Sequence, residues 1–227
     1  ITLTLTSTGN GSCNAYSDQM IITFYAAPTI AVGGDQTVCA DIGTVTLSPT
    51  TTNASSYLWS STGSGTFSPN NSTELADYIP SNADTANGNI TLTLTVISVG
   101  CNNYSDDLNL IITPNPTVNA GADITTCKDI TSVSLSGTVS AATGGTWTTS
   151  GSGSFTPSTN SLGGDYVPSA ADTAAGNVTL TLTTTGNGSC NAYTDNVIIT
   201  FTDIPTVNAG LDQSICADIA NVPLGGA

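Results

Sequence analysis

Six cysteines, at positions 13, 39, 101, 127, 190 and 216, and a recurring set of aspartates are the residues of this chain best equipped for chemistry. Its 227 residues contain no histidine and no arginine; Lys128 stands alone against 16 acidic side chains, for a net charge of −15. That inventory excludes much. A Ser–His–Asp or Cys–His centre has no base, and a zinc site has neither histidines nor a close CxxC cluster. Lys128 is matched in the other repeats by Ala40 and Ala217, so no repeated lysine chemistry exists. A carboxylate pair of the glycosidase kind is formally open, but one such site in every small repeat would be unusual. The chain is expected not to be an enzyme.

The cysteines point instead to disulfides, and so to a compartment outside the cytosol. Two fall in each complete repeat: Cys39 and Cys101, then Cys127 and Cys190. The simplest pairing is Cys39–Cys101 and Cys127–Cys190, closing loops of about 62 residues, each worth roughly 4 kcal/mol by the chain-entropy model. Such a bridge would staple two loops near one pole of the domain. The alternative links neighbouring repeats, Cys13 with Cys39 or Cys101 with Cys127, since both pairs are 26 residues apart.

Aspartates travel with the cysteines. Asp35/Asp41 and Asp123/Asp129 flank the first cysteine of each repeat, and Asp106 and Asp195 follow the second by five residues. If the disulfides lie within repeats, Asp35, Asp41 and Asp106 converge, as do Asp123, Asp129 and Asp195. Three carboxylates with loop carbonyls suit Ca²⁺, the one cofactor the sequence leaves open. The competing reading is that aspartates at loop ends make Asx-turns and keep an almost uncharged surface soluble.

The elements that must position these residues recur with them. The segment beginning PTIAVGGDQTVC at Pro28 returns at Pro116 as PTVNAGADITTC and again at Pro205 as PTVNAGLDQSIC. The chain divides accordingly into residues 1–27, the C-terminal part of a preceding repeat; 28–115 and 116–204, two complete repeats; and 205–227, the start of a following one. Residues 1–27 match 178–204 at 19 of 27 positions, and the extra residue of the second repeat falls in the turn before Cys190. Loops absorb such insertions; strands do not.

Within a repeat the apolar period is two. ITLTLTV (90–96) and VTLTLTT (178–184) alternate aliphatic residues with threonine, as a strand with one buried face requires. Further strands are expected at 44–48, 56–60, 65–68, 76–80 and 108–113, with turn clusters at 62–66 and 82–89. No helical period stands out. Seven or so short strands with a tryptophan in an early-middle one predict an all-β array of immunoglobulin-like sandwiches of about 88 residues. Trp59 and Trp147 are then core residues.

One turn carries a further motif, Asp84-Thr85-Ala86, repeated as Asp172-Thr173-Ala174. It resembles the acceptor motif of Bacteroidetes O-glycosylation, which makes Thr85 and Thr173 candidate attachment sites; a plain polar turn is the alternative. The longer pattern, PTVNAG at 116–121, GGTWTTSGSGSFTP at 144–157, DYVPSAADTAAGNVTLTLT at 165–183 and GSCNAYTD at 188–195, spans the repeat. It is similar to the Ig-like or PKD-like repeats of giant Bacteroidetes surface proteins, among them gliding-motility adhesins and type IX secretion substrates. The resemblance implies a secreted, cell-surface-attached fibre whose binding and sorting parts lie outside the repeats.

Partners follow from charge and pattern. The acidic surface repels nucleic acid, and no apolar stretch is long enough to insert into a membrane. Neighbouring repeats of the same chain are the first partners expected; other copies in a fibre, glycans or cell surfaces are further ones. The expected function is a filament or adhesin stalk that spaces a binding end from the cell. Repeats joined without a Gly/Ser linker have limited freedom to bend, and strands of this length suggest roughly 35–45 Å per repeat. Rival readings are repeat-borne glycan or cell binding, through Tyr16, Tyr104 and Tyr193, and lateral self-assembly into a sheath, since lysine hardly guards the strand edges.

Overall fold

The computed structural model describes residues 1–226 and falls into two compact units, Ile1–Asn115 and Pro116–Ala227. In the first, alternation in Asn89–Ile97 buries Ile90, Leu92, Leu94 and Val96 and leaves the threonines half-exposed on the other face. This strand is central because it pairs on both sides. It runs antiparallel to Tyr104–Thr113 and to Ser56–Ser61, and Gln36–Cys39 adds to Tyr104–Thr113 in parallel. The result is a four-stranded sheet.

The facing layer is built from shorter pieces. Val45–Thr46, Asp77–Ile79 and Thr66–Ser68 form a three-stranded sheet, and Thr29–Ala31 pairs with Thr50–Thr52. Between the layers lie Leu47, Trp59, Tyr78, Leu92, Leu94, Leu108 and Leu110, all nearly inaccessible to solvent. Burying a side chain of this size contributes about 1.5–3 kcal/mol, and the alternating strand places four of them, Ile90, Leu92, Leu94 and Val96. Trp59 packs on Phe67, and its Nε1 donates to the Glu74 carbonyl oxygen at 3.1 Å. The expected core role of the tryptophans is what the structure shows.

The second unit repeats this plan. Its four-stranded sheet comprises Ile124–Cys127, Thr194–Thr202, Asn177–Thr185 and Gly144–Thr149, and its three-stranded sheet Val133–Ser134, Asp165–Val167 and Ser154–Thr156. Thr117–Asn119 pairs with Thr138–Ser140. The all-β, immunoglobulin-like sandwich expected from periodicity is the observed fold.

Two features depart from the expectation. Residues 1–27 carry a lone hairpin, Thr2–Thr6 with Ser17–Ile21. Leu3 and Leu5, equivalent to the buried Leu180 and Leu182, are exposed there because no facing layer covers them among the described residues. The second departure is helical. Asn82–Asn87 and Ala170–Ala175 form short α-helices inside what reads as a polar turn cluster. At six residues each they are too short for an apolar period, and their signal is at the ends. Ser81 with Asp84, and Ser169 with Asp172, make capping boxes, and Gly88 and Gly176 close the helices in the left-handed region at φ 76° and 85°.

Candidate functional sites: cysteines, aspartates and the polar turn

Cys39 ends the strand Gln36–Cys39, in register with Thr113, the last residue of the ten-residue strand Tyr104–Thr113. Cys101 lies in the turn that precedes that strand. The whole strand therefore separates the two cysteines, about 30 Å at 3.3 Å per residue. A disulfide needs its Cα atoms within roughly 7 Å. The same holds in the second unit, where Cys127 is in register with Thr202 and Cys190 lies before Thr194–Thr202. The pairings Cys39–Cys101 and Cys127–Cys190 are accordingly not made. Cys101 and Cys127 carry free thiols, whereas Cys39 and Cys190 are disulfide-bonded. The alternative pairs fare no better, since Cys13 and Cys101 are also free. The reason is the parallel addition of Gln36–Cys39, and of Ile124–Cys127 in the second unit, which carries the first cysteine to the far pole, away from the hairpin that holds the second.

That strand also explains the aspartates. Asp106 Oδ2 accepts the Val32 backbone N–H at 3.0 Å, and Asp35 Oδ1 accepts that of Asn109 at 2.8 Å. In the second unit Asp195 accepts from Ala120 at 2.8 Å and Asp123 from Ile198 at 2.9 Å. Each pair of carboxylates thus ties the edge segment to the long strand from both sides. Asp41 and Asp129 follow the first cysteines at the opposite pole from Asp106 and Asp195, about 20 Å away along the strand. The convergence expected of Asp35, Asp41 and Asp106, and of Asp123, Asp129 and Asp195, does not occur. No group of three acidic or thiol side chains arranged for a metal ion is found among the described residues.

The polar turn holds an aspartate whose role composition did not show. Asp84 is 2% exposed and Asp172 4%, in a chain where every other aspartate is half or fully exposed. Asp172 Oδ2 accepts from the Tyr166 hydroxyl at 2.8 Å and from Ser169 N–H at 2.9 Å, and its Oδ1 accepts from Ser152 N–H at 2.9 Å. Asp84 makes the matching bonds to Tyr78, Ser81 and Ser64 at 2.9, 2.9 and 2.8 Å. One carboxylate therefore completes the capping box begun by the serine, satisfies a core tyrosine and pins the Gly-Ser-Gly turn to both.

Burial by itself pushes the Asp172 carboxyl upward, but the Ser169 and Ser152 amides, then the Tyr166 and Ser169 hydroxyls, overcome it and hold the group at about 2. Asp84 is likewise lowered, against burial, by Ser81, Ser64 and Tyr78. Burial, followed by the neighbouring carboxylate, raises the Tyr78 and Tyr166 hydroxyls above their ordinary range.

The two glycines of the turn are required by close approach. A Cβ at Gly151 would fall on Asp172 Oδ1, and one at Gly153 would lie 2.5 Å from the Tyr166 hydroxyl. Gly151→Ala should therefore cost about 1–3 kcal/mol by forcing the carboxylate off its partners. Gly33→Ala is the control, because nothing surrounds its Cβ position and only its φ of 96° opposes the change. Urea melts of the two variants should rank in that order.

Thr85 and Thr173, the candidate glycosylation sites, are half-buried, and their hydroxyls donate to the Asn82 and Ala170 carbonyls inside the same helices. The aspartate of the motif is engaged structurally in both repeats. Of the aromatics singled out, Tyr16 and Tyr104 are exposed and Tyr193 is half-buried.

Two antiparallel-rich layers, a parallel edge strand and a tryptophan-centred core make each complete repeat an immunoglobulin-like β-sandwich. No family model and no curated protein matches the chain. Among similar solved structures, that of the insect immune protein hemolin covers 88% of the chain at 9% identity and a TM-score of 0.48, and the chain spans 56% of it. Sidekick-1 immunoglobulin domains 1–4 match at 16% identity and TM-score 0.44, over 77% of this chain and 48% of that one. The D00-D0 domain of Intimin matches at 14% identity and TM-score 0.41, over 78% of this chain and all of that one. Likeness at these identities concerns the fold alone, and the assignment rests on the sheets themselves.

Proposed function

We propose that these repeats are the shaft of a long extracellular filament or adhesin stalk, spacing a binding end from the cell surface. The observation that carries this reading is that everything distinctive recurs as structure. The Asp84 and Asp172 networks are duplicated bond for bond, and the aspartate clamps hold edge strands in place. Repetition of a stabilising device suits a part whose product is length. Three residues, 114–116, separate the last strand of one repeat from the first of the next, which favours stiffness. Disulfide-bonded cysteines fit an oxidising, extracytoplasmic setting.

Attachment to a Bacteroidetes gliding or type IX-secreted surface protein is the finer form of the proposal, supported by the sequence resemblance. Glycosylation at Thr85 and Thr173 belongs to that form too. Electron microscopy of the native fibre tests the main reading. A single-chain cross-section with beads every 35–45 Å or so is expected from the strand lengths; a cross-section of several chains would favour the sheath instead. A glycan array probed with this chain should be silent, and specific binding lost in Tyr104→Ala would transfer the function to the repeats.

A further inference from the structure

We propose that Asn10 and Asn187 are sites of slow, spontaneous conversion to aspartate and isoaspartate, and that the third Asn-Gly pair of the chain, Asn87-Gly88, is shielded from it by its helix cap. The modification needs no enzyme and consumes only water. Asn-Gly is the pairing that favours it, because a following residue without a Cβ leaves the backbone nitrogen open to the asparagine side chain. The three pairs fall in two kinds of structure.

Asn10-Gly11 and Asn187-Gly188 occupy equivalent turns between paired strands, each turn lying wholly within its own unit. The Cys13 N–H donates to the Asn10 carbonyl oxygen at 3.1 Å, and the Cys190 N–H to that of Asn187 at 3.1 Å. Gly11 and Gly188 are exposed, lie in the left-handed region at φ 64° and 62°, and have open space where a Cβ would be. Among the described residues neither glycine N–H donates a hydrogen bond. The side-chain amides are lightly held. Asn10 Nδ2 reaches the Ser7 carbonyl oxygen at 3.3 Å and Asn187 Nδ2 that of Thr184 at 3.4 Å, while Asn187 Oδ1 is buried without a partner.

Asn87 differs in each respect. It ends the helix Asn82–Asn87, and its Nδ2 donates to the Asn89 carbonyl oxygen at 2.8 Å. The Gly88 nitrogen, which would have to attack, is committed instead to the Asp84 carbonyl oxygen at 2.9 Å. The matching turn of the first complete repeat carries no such pair, since Val99 precedes Gly100 there.

The steps balance without an added reagent. The glycine nitrogen gives its proton to solvent and bonds to asparagine Cγ; the Cγ–Nδ2 bond breaks, and Nδ2 takes up a proton and leaves as ammonia. Water then opens the cyclic imide at either carbonyl, giving aspartate or, with the backbone rerouted through the side chain, isoaspartate. No electrons change hands. Each event replaces a neutral amide by a carboxylate three residues before Cys13 or Cys190, in a chain already at −15. The consequence rests on the stalk reading, although the chemistry does not: an extracellular shaft that is not replaced gathers charge at these turns as it ages.

The test ages the whole chain in mildly alkaline buffer, native and urea-unfolded, then reduces it and maps its peptides by mass spectrometry, where each conversion exchanges NH for O. In the native chain the Asn10 and Asn187 peptides should convert. The Asn87 peptide should lag by about tenfold or more, as follows for a helix open less than about a tenth of the time. In urea the three should converge. Asp84→Ala, which weakens the capping box, should bring Asn87 up toward the turn sites and leave Asn10 as it was. A native Asn10 or Asn187 that stays intact while the unfolded chain converts overturns the proposal. So does a native Asn87 that keeps pace with them, or one that Asp84→Ala leaves unmoved. None of these outcomes bears on the stalk reading, which the fibre cross-section tests.

Discussion

Asp172→Ala should destabilise the second complete repeat by about 3–5 kcal/mol, the range for removing one member of a buried, hydrogen-bonded charged group. The substitution strips the acceptor from the Tyr166 hydroxyl and from the Ser169 and Ser152 amides, and so leaves the capping box with only its Ser169 half. Asp172→Asn keeps the shape but offers one acceptor oxygen where two are used, so its loss should be smaller. Urea unfolding followed by Trp147 fluorescence reads this repeat. A change below about 1 kcal/mol in Asp172→Ala would show that water replaces the carboxylate, contrary to its burial.

The same group sets a pH dependence. Its folded value, about 2, lies below its ordinary 3.8, so the folded state holds the deprotonated form more tightly than the unfolded one does. Its contribution is complete above pH 4 and is lost as pH falls through the folded value. A shift of this size corresponds to about 2–3 kcal/mol. Asp84 is lowered in the same direction, so both repeats should weaken together between pH 4 and 2. Asp172→Asn should flatten that decline for its own repeat.

Trp59→Ala is expected to cost the first complete repeat about 3–5 kcal/mol, as for large aromatics truncated in a packed core. Trp59 is 1% exposed, stacks on Phe67 with centroids 5.9 Å apart, and bonds the Glu74 carbonyl. The cavity cannot collapse readily, because the ring bridges the central sheet to the turn that carries Glu74. Trp147 remains as the reporter of the other repeat, so a loss confined to the first shows as a far-UV change that precedes the fluorescence change. Tyr104→Ala, at an exposed strand start, should stay within about 0.5 kcal/mol. If Trp59→Ala were equally mild, the ring would be peripheral and the core assignment wrong.

Much of the fold was legible because its causes are local. Alternation of aliphatic residues with threonine in 90–96 and 178–184 dictates one buried face whatever packs against it, and the structure buries Ile90, Leu92, Leu94 and Val96. Tryptophan in a strand of a small sandwich has little choice but the core. The helices 82–87 and 170–175 were hidden because six residues make no periodic stripe; only the Ser81–Asp84 and Ser169–Asp172 caps announce them.

Chemistry by exclusion, the repeat length, the strand period and the cysteine count belong to the sequence alone, since each depends on residue type or on neighbours along the chain. Which cysteine faces which, and whether the aspartates gather, depended on the direction in which one edge strand joins the sheet. Parallel pairing of Gln36–Cys39 with Tyr104–Thr113 carries Cys39 to the pole opposite Cys101, and it turns Asp35 and Asp106 into separate clamps. Strand direction is a long-range choice, made by contacts between residues more than seventy positions apart, and no local pattern encodes it. The burial of Asp84 and Asp172 is of the same kind: an Asp in a polar turn reads as solvated until Tyr78 and Tyr166, packed from the facing layer, arrive to close over it.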